Sequence, residues 1–426
     1  MICLFLLYSK LKSEGTILKT ALSVGKSPFT AYHKALASLL SLTALGYLLY
    51  HTLAGGTLLS ANSYDSYALQ AQNWLNGHID ISNGSSYSWL ELAIFQGKYY
   101  VSFPPVPSLV SLPFVALMGM SPANLLIAVY SLISCGAVFQ CIRHLGGNPQ
   151  ACVFWAVFFT FATNLTELSR NGGVWNQAQA LNLTLCFLAM WCLFSNRNNL
   201  CLLLLALAVG CRPFSAVYLL AAGIYFLWQG RSKLHSTLFS LLPGIFSVLL
   251  VAFCMMAYNT ARFGNPLEFG HNYLPEFTRS EYGQFHLSYL LPNLLQLFRL
   301  PTLNQQLMVE FPLFNGFLFF LVNPIFAVWG IHLFRQWKQP EFYQTLCFSL
   351  LPFLLVLLAL CAHKTMGGWQ FGARYTLDLL PAVLAGIGFF QISKRSPHFW
   401  EQYLCTAGVI INIFGMIFML LQESAS

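Results

Sequence analysis

The chain is a succession of apolar runs, and this feature constrains its fold more than any other. Apolar residues make up 57% of the 426 residues and charged residues only 8%, so there is too little polar surface to cover a soluble protein of this length. We therefore expect an all-α polytopic membrane protein with about eleven transmembrane helices, since roughly 20 apolar residues cross a bilayer. The runs lie near residues 35–59, 123–142, 150–166, 178–195, 199–212, 213–229, 237–258, 313–334, 343–362, 376–391 and 402–422.

The charged residues predict the orientation of the chain. If the amino end is cytoplasmic, the acidic residues fall outside or at the outer ends of spans, so chemistry is expected to face outward. The formal net charge of +8 is then explained by anionic lipid headgroups and needs no nucleic acid. Most Lys and Arg fall on the cytoplasmic side, as the positive-inside rule favours: Lys10, Lys12, Lys19, Lys26, Lys34, Arg143, Arg197, Arg231, Lys233, Arg335, Lys338, Lys394 and Arg395.

This orientation requires that the segment from Pro104 to Met120 does not cross the membrane. Its four prolines and modest length suit an interfacial helix that begins with proline, within the first outer loop. We accordingly divide the chain into a cytoplasmic segment (1–34), an N-terminal transmembrane module (35–258, with outer loop 60–122), a long outer loop (259–312) and C-terminal transmembrane helices (313–426).

The polar stretch after the first apolar run contains the first candidate for chemistry, Asp65. A carboxylate close to the end of a membrane helix is costly unless it has a function, and Tyr64 and Tyr67 flank this one. The alternative is that Asp65 lies in the first turn of a helix and interacts with its dipole.

The second outer loop, 164–177, is rich in Asn, Gln and charged residues. Glu167 and Arg170 are three residues apart, so they could simply pair on one helix end. Trp175 and Asn176 follow in the same loop. A run with this many polar groups is more than a turn requires, so a functional loop is an equal alternative.

Two further outward-facing segments carry chemical groups. The first opens the long outer loop and includes His271. The second, 363–375, places Lys364 and Arg374 around Gly-Gly-Trp369, on the side where basic residues should be scarce, which favours an anion site. The alternative for Arg374 is a helix-stabilising pair with Asp378.

Taken in order, these motifs resemble a known family. The motifs are an Asp after the first span, Gly97-Lys-Tyr-Tyr followed by Phe103-Pro-Pro-x-Pro, Arg262-Phe-Gly-Asn-Pro-x-Glu-Phe-Gly, and Gly367-Gly-Trp-x-Phe-Gly-x-Arg-Tyr. In this order they resemble the motifs of the GT-C superfamily of membrane glycosyltransferases. The similarity is greatest to the protein O-mannosyltransferase and aminoarabinose-transferase group.

The resemblance implies a GT-C-like bundle whose first outer loop is catalytic and contains interfacial helices. It also implies an inverting transferase that moves a sugar from a polyprenyl-phosphate carrier to a lipid, glycan or protein acceptor at the outer face. The catalytic aspartate of the family maps onto Asp65. The group often has a second acidic residue where this chain has Trp175-Asn176, and Glu167 is the candidate to replace it.

The residues support this chemistry independently of the family. Displacement of a lipid phosphate needs a base and cations for the leaving group. The base candidate is Asp65, with Glu167 as second acid. The outer cations are Arg374, Lys364, Lys98 and Arg170, and the expected substrate-binding residues are Tyr64, Tyr67, Trp175, Asn176, His271 and Trp369. There is no Asp-x-Asp and no zinc spacing, so no metal site is predicted and dependence on a divalent metal stays open.

Other functions remain compatible with this composition. A lipid or polysaccharide transporter or flippase would also be polytopic, but it would show internal repeats and ionisable residues near the midplane. Here Arg212 is the clear candidate for such a charge. A non-catalytic relative that binds the carrier lipid is the third possibility. For all of these we expect a multi-pass protein of the bacterial plasma membrane with its site facing outward.

Overall fold

The computed structural model describes residues 28–340 and 342–425, which form an α-helical bundle with two short β-hairpins. Residues 1–27 of the predicted cytoplasmic segment, with Lys10, Lys12, Lys19 and Lys26, lie outside the described residues. The first half contains α1 (Pro28–Leu53), α2 (Ser66–Leu75), β1 (Leu92–Phe95), β2 (Lys98–Val101), α3 (Val106–Met118), α4 (Ala123–His144), α5 (Pro149–Thr160), α6 (Leu165–Leu168), α7 (Val174–Phe194), α8 (Asn198–Val209), α9 (Ala216–Gln229) and α10 (Leu234–Phe263).

The second half begins with a long irregular loop and ends in helices. A π-helical turn at Leu346–Leu350 joins two of these helices into one continuous element. The elements are α11 (Pro275–Thr278), α12 (Leu290–Gln296), β3 (Thr302–Leu303), β4 (Val309–Glu310), α13 (Phe319–Val322), α14 (Ile325–Gln336), α15 (Phe342–Thr345), α16 (Leu351–Ala362), α17 (Leu380–Phe389) and α18 (Phe399–Ala425).

The protein is an integral multi-pass membrane protein. Each predicted apolar run contains a helix, but six helices in the described part are long and apolar enough to span a bilayer by length and composition, so a count of eleven is not confirmed. The others are shorter because Pro, Gly and polar residues interrupt the runs. The six are Thr30–Leu53, Ala123–His144, Val174–Phe194, Arg231–Phe263, Phe342–Ala362 and Phe399–Glu423.

The segment predicted as an interfacial helix is helical, at α3. Its 13 residues give a length of about 20 Å, which is less than the hydrocarbon thickness. Pro105 precedes the helix and Gly119 ends it with φ +71°, a conformation that glycine adopts without strain. The placement of α3 at the membrane surface stays a prediction.

The core of the bundle lies among α4, α5, α7 and α8, which pack side by side. Large aromatic side chains fill it, with the rings of Trp155 and Phe158 stacked at a centroid distance of 6.1 Å. Phe159 and Phe187 meet edge to face at 5.6 Å and are fully buried. This rigid core holds the outer ends of α4 and α7 in place, and the candidate site forms there.

The first outer loop is fastened to the bundle at two points. The strands β1 and β2 pair antiparallel, with Ala93 opposite Tyr100. Arg262, in the last turn of α10, donates a hydrogen bond of 2.8 Å to the carbonyl of Val101. The backbone N–H of Val174, which opens α7, donates to the carbonyl of Tyr64 at 2.9 Å. The loop is therefore ordered by contacts with α7 and α10.

A buried amide network fastens the other half of the site. Asn164, fully buried after α5, donates to the carbonyl of Phe371 at 2.6 Å and accepts from the N–H of Ala373 at 2.9 Å. Asn323 donates to the side-chain oxygen of Asn164 at 3.0 Å. These bonds hold the loop that precedes α17 against the second outer loop.

Candidate functional site

Asp65 is the N-cap of α2 and is 7% exposed. Its Oδ1 accepts a hydrogen bond of 3.0 Å from the N–H of Ala68, so Asp65 caps the start of this helix. Its Oδ2 is buried and has no hydrogen-bond partner among the described residues. Burial raises the pKa of Asp65 to about 6. A capping role uses one oxygen, and the second is left facing the interior of the site.

The first two turns of α7 bring two amide side chains, Gln177 and Gln179, to the site. Gln177 lies near the Asp65 carboxylate and donates to the carbonyl of Gly172 at 2.8 Å. Gln179 donates to the carbonyl of Arg374 at 2.8 Å. The side-chain oxygens of both glutamines are buried and without a partner in the part of the chain that the structure describes. These oxygens could accept hydrogen bonds from hydroxyl groups of a bound ligand.

Arg374 is buried, at 6% exposure, in the loop before α17. Its Nε and Nη2 donate to the carbonyl of Gly367 at 3.0 and 2.6 Å. Its Nη1 is buried with no hydrogen-bond partner among residues 28–340 and 342–425. Burial lowers the pKa of Arg374, but an arginine remains charged in proteins. The guanidinium is therefore held in place by one edge and has a donor available for an anion.

Arg374 does not pair with Asp378, so the helix-stabilising alternative considered for it is wrong. Arg212 takes that place, with Nη2 at 2.6 Å and Nε at 2.8 Å from Asp378 Oδ2. Pro213 ends the apolar run at this point and the chain turns after α8, which carries Arg212 to the site. The guanidinium groups of Arg212 and Arg374 lie 4.9 and 5.2 Å from the centroid of the Tyr375 ring. Two cations therefore meet around one aromatic side chain.

Tyr67 connects the carboxylate and the cations. Its side chain is fully buried, and its hydroxyl is close enough to both Asp65 and Arg212 to interact with them electrostatically. Neither its hydroxyl nor that of Tyr130, which also lies near Asp65, has a hydrogen-bond partner in the described residues. Buried hydroxyls without partners are costly, and they are often found where a ligand binds.

The predicted substrate-binding residues other than Tyr67 differ in their exposure and contacts. The rings of Tyr64 and Trp175 lie 5.8 Å apart at the rim, and Trp175 donates to Glu91 at 2.8 Å. His271 packs against Phe103 at a ring distance of 5.1 Å, and burial lowers its pKa to about 4. Asn176 donates to the carbonyl of Asn171 at 3.0 Å. Trp369, in contrast, is 71% exposed and pairs with Phe314, and its role in substrate binding stays a prediction.

The second predicted acid is engaged in an ion pair. Glu167 is 4% exposed, and its Oε1 accepts from Arg170 Nε at 3.0 Å, which is the pairing that their spacing allowed. Arg170 also bonds Glu423, near the end of α18, at 2.7 Å. These contacts link the second outer loop to the last helix. Glu167 and Arg374 interact electrostatically, because the charge of each shifts the pKa of the other.

The two predicted lysines lie at the periphery. Lys98 is 59% exposed, with its Nζ at 3.9 Å from Asp80 Oδ1. Lys364 donates to the carbonyl of Glu276 at 2.7 Å and lies 5.8 Å from the Phe277 ring. Neither bond neutralises the charge fully, so both lysines could attract an anion toward the cleft.

We find no cluster of three or more His, Cys, Asp or Glu able to hold a metal ion within the described ranges. Dependence on a divalent metal therefore stays open.

No protein-family model matches the chain, and no curated protein matches it. Among solved structures, ArnT from Cupriavidus metallidurans bound to undecaprenyl phosphate is similar at 14% identity and a TM-score of 0.49, over 84% of this chain and 61% of ArnT. The apo state of ArnT gives 13% and 0.48. The oligosaccharyltransferase of Archaeoglobus fulgidus gives 12% and 0.45, over 90% of this chain and 55% of that chain.

These similarities stand at identities of 14% or less and at TM-scores below 0.5. At these identities and TM-scores the similarity assigns no residue and no activity to this chain, which spans 61% of the length of ArnT.

Sequence reasoning did not select several residues that the structure brings to the cleft: Glu91, Tyr130, Gln177, Gln179 and Arg212. The one available signal was the position of Arg212, a charge inside an apolar run, which was interpreted as a midplane residue of a transporter. The others are ordinary polar residues in loops and helix ends, and only the folded chain brings them together.

Proposed function

We propose that the protein is an inverting glycosyltransferase that moves a sugar from a polyprenyl-phosphate carrier to an acceptor at the outer face of the membrane. The observation that carries this proposal is a buried carboxylate oxygen on Asp65 and a buried guanidinium nitrogen on Arg374 that have no partners within the described chain. Helix α7 connects the two residues, because Gln177 lies near the Asp65 carboxylate and Gln179 donates to the carbonyl of Arg374. A base for the acceptor and a cation for the leaving phosphate are the two requirements of the reaction.

In the proposed reaction, Asp65 Oδ2 removes the proton from an acceptor hydroxyl. The oxygen attacks the anomeric carbon from the side opposite the carrier, and the bond between that carbon and the phosphate oxygen breaks. The bonding electrons leave with the polyprenyl phosphate, so configuration inverts. The proton stays on Asp65 until water removes it. A pKa of about 6 suits this role, because the carboxylate is ionised at neutral pH yet basic enough to accept a proton.

Arg374 and Arg212 are the proposed phosphate-binding residues, and both lie beside Tyr375. Arg374 offers Nη1, while Arg212 would share its charge between Asp378 and the phosphate. We propose that Lys98 and Lys364, which lie at the periphery, attract the anion toward the cleft. Arg170 is less available because two carboxylates already bind it.

The substrate-binding role is assigned to the side chains that line the cleft. The free oxygens of Gln177 and Gln179 accept from sugar hydroxyls, and the exposed Tyr64 and the half-buried Trp175 offer aromatic faces at the rim. Glu167 is proposed to support Arg374 electrostatically through the Arg170 pair, in place of the second acid of the family.

The test is Asp65→Asn in the full-length protein, with Asp80→Asn as the matched control in the same outer loop. Asn caps helices as well as Asp, so α2 is expected to form. We expect sugar transfer in membranes to fall about 10²–10⁴-fold while polyprenyl phosphate still shifts the melting temperature. Asp80→Asn should keep its activity.

Two outcomes would contradict the proposal. Transfer by Asp65→Asn within a few-fold of the wild type would leave Asp65 as a helix cap. Binding of polyprenyl phosphate without transfer by the wild type would instead indicate a carrier-binding protein that is not an enzyme.

A further inference from the structure

The long outer loop exposes large apolar side chains, although it lies outside the helices long enough to span a bilayer. Its segment 300–309, which contains the β3–β4 hairpin, has no charged residue. Soluble surfaces rarely expose so many large apolar side chains in one stretch, so this surface is expected to contact an apolar partner. The exposed apolar residues are Leu287, Leu291, Leu295, Phe298, Leu300, Leu303, Leu307, Met308 and Val309.

The β3–β4 hairpin has one apolar and one polar face. Leu303 lies opposite Val309, and Thr302 lies opposite Glu310. Because side chains alternate along a strand, Leu303 and Val309 share one face of the hairpin, and Thr302 and Glu310 share the other. All four residues are exposed. The hairpin is therefore amphipathic, and the rest of the described chain leaves its apolar face uncovered.

The turn of this hairpin holds a leucine in an unfavourable backbone conformation. Leu307 has φ +61°, which glycine and asparagine adopt far more readily, and its side chain is 80% exposed. The side chain of Asn304 accepts from the N–H groups of Gln306 and Met308 at 2.9 Å, which fixes the turn. A turn that faces water gains nothing from leucine at this position, whereas a turn that contacts lipid gains apolar contact.

The base of the hairpin lies against a lipid-facing surface of the bundle. The ring of Phe311, directly after β4, lies 5.9 Å from that of Phe414 and 5.5 Å from that of Phe418 on α18. Phe414 is exposed on this apolar helix, so it faces lipid in the membrane. Glu423, which bonds Arg170 of the second outer loop, is nine residues further on, or about 14 Å along the axis. The hairpin therefore starts at membrane depth, on the side of the candidate cleft.

Backbone hydrogen bonds join the hairpin to the loop that carries Arg374. The N–H of Asn315 donates to the carbonyl of Gly368 at 2.9 Å, and the N–H of Phe317 donates to that of Gly372 at 3.0 Å. These bonds satisfy backbone groups of an irregular segment, as a position near hydrocarbon requires. The depth of the hairpin in the bilayer therefore sets the height of this loop.

We infer that the β3–β4 hairpin inserts its apolar face into the leaflet on the side of the candidate cleft, so that Leu303, Leu307 and Val309 contact acyl chains. The continuity of the hairpin with the lipid-facing surface of α18 carries the assignment. Open strand edges do not occur within the hydrocarbon, so the hairpin lies at the boundary between headgroups and acyl chains, with its polar face toward water. The inference does not depend on the proposed transferase activity.

Fluorescence quenching by labelled lipid tests the insertion. Leu303→Cys and Thr302→Cys are introduced singly into the full-length protein without native cysteines, labelled with the fluorophore NBD and reconstituted into phosphatidylcholine vesicles. Some of the lipid has a nitroxide near the headgroup end of an acyl chain. The label at position 303 should lose about twofold more emission than the label at 302, because an interfacial element buries its apolar face roughly 5–10 Å deep. Thr302 is the matched control, since it is exposed on the opposite face of the same strand.

The turn is tested with Leu307→Asn, because asparagine suits φ +61° and leaves the turn intact. This change should reduce quenching of the label at position 303 about twofold, whereas Gln305→Asn, in the same exposed turn, should leave it unchanged. Equal quenching at positions 302 and 303, or unchanged quenching in Leu307→Asn, would overturn the inference. Disulfide-linked dimers of Leu303→Cys without quenching would also overturn it, since a second copy would then cover the apolar face.

Discussion

At the scale of single residues, the cleft is defined by polar atoms that the fold buries without giving them partners. Asp65 and Arg374 each use part of their hydrogen-bonding capacity on the backbone, which fixes the side chain. The remaining oxygen of Asp65 and nitrogen of Arg374 are left without a partner in the described part of the chain. Such an arrangement costs stability in the absence of ligand, and it is typical of sites that bind polar groups.

The first prediction concerns the pH dependence of transfer. The pKa of Asp65 is raised to about 6, so the base form is lost as pH falls through 6. We expect the rate to rise with pH and to reach half of its plateau near pH 6. Initial rates in membranes between pH 4.5 and 8 measure this. A profile that is flat between pH 5 and 7 would indicate that Asp65 does not accept the proton.

The second prediction concerns stability. A raised pKa in the folded state means that the folded protein binds the proton of Asp65 more tightly than the unfolded chain does. As the pH rises from about 4 to about 6, this group therefore lowers the free energy of unfolding progressively. Asp65→Asn should therefore melt at a higher temperature than the wild type at pH 7. The difference should shrink as the pH is lowered from 7 to 4, because the folded-state carboxyl becomes protonated and its burial then costs little. A lower melting temperature at both pH values would mean that the carboxylate stabilises the fold.

The third prediction separates the phosphate role of Arg374 from simple charge. The planar guanidinium of Arg374 binds the carbonyl of Gly367 along one edge and keeps Nη1 for a phosphate, whereas a lysine has a single ammonium group. Arg374→Lys should therefore lower the transfer rate about 10- to 100-fold. Arg279→Lys, at an exposed position of the outer loop, is the control. Because Asp378 pairs with Arg212, exchanging Arg374 and Asp378 should not restore activity. Recovery in that double variant would remove Arg374 from the phosphate site.

At the scale of elements, the apolar runs predicted where the helices are. Each run contains a helix because a backbone in lipid must satisfy its hydrogen bonds internally. Lengths were less predictable, since α5 and α8 stop after 12 residues each. The cleft itself was only partly predictable. Asp65 and Arg374 stand out as charges at outer ends, but the pairing of Arg212 with Asp378 joins residues 166 positions apart and has no local signal.

The fourth prediction tests the loop that carries Arg374. Gly372 has φ +98°, and a Cβ there would lie 2.6 Å from the amide nitrogen of Asn164. Gly368 has φ +67° with open space around it. Gly368→Ala should cost about 1 kcal/mol of backbone strain, whereas Gly372→Ala should cost about 1–3 kcal/mol more because Asn164 must move. Thermal melting of the two variants measures the difference. Equal melting temperatures would mean that the amide network yields easily.

At the scale of the whole molecule, the charge distribution predicts which ends of the helices face outward. The structure places Tyr64 beside the first residue of α7, and Arg197 just beyond the last residue of this helix, 5.5 Å from the Trp191 ring. The predicted orientation requires such a separation, and the orientation itself stays a prediction.

The fifth prediction is therefore topological. In a variant without native cysteines, Ser85→Cys and Thr278→Cys should react with a membrane-impermeant thiol reagent in intact cells. Ser232→Cys, which is also exposed in the folded protein, should react only after the cells are lysed. Labelling of Ser232→Cys in intact cells would reverse the orientation.

The bond between Arg262 and Val101 links helix α10 to the first outer loop, and it has a mechanical consequence. The 30 residues of α10 extend over about 45 Å, whereas the hydrocarbon is about 30 Å thick, so the helix is long enough to span the bilayer with a tilt. Only 17% of its most apolar window is buried, so most of that window faces away from the bundle, where lipid acts on the angle of the helix. A change of five degrees moves the outer end of such a rod by about 4 Å. Bilayer thickness is thus transmitted to the strand that carries Val101, and transfer should vary with the acyl-chain length of the surrounding lipid.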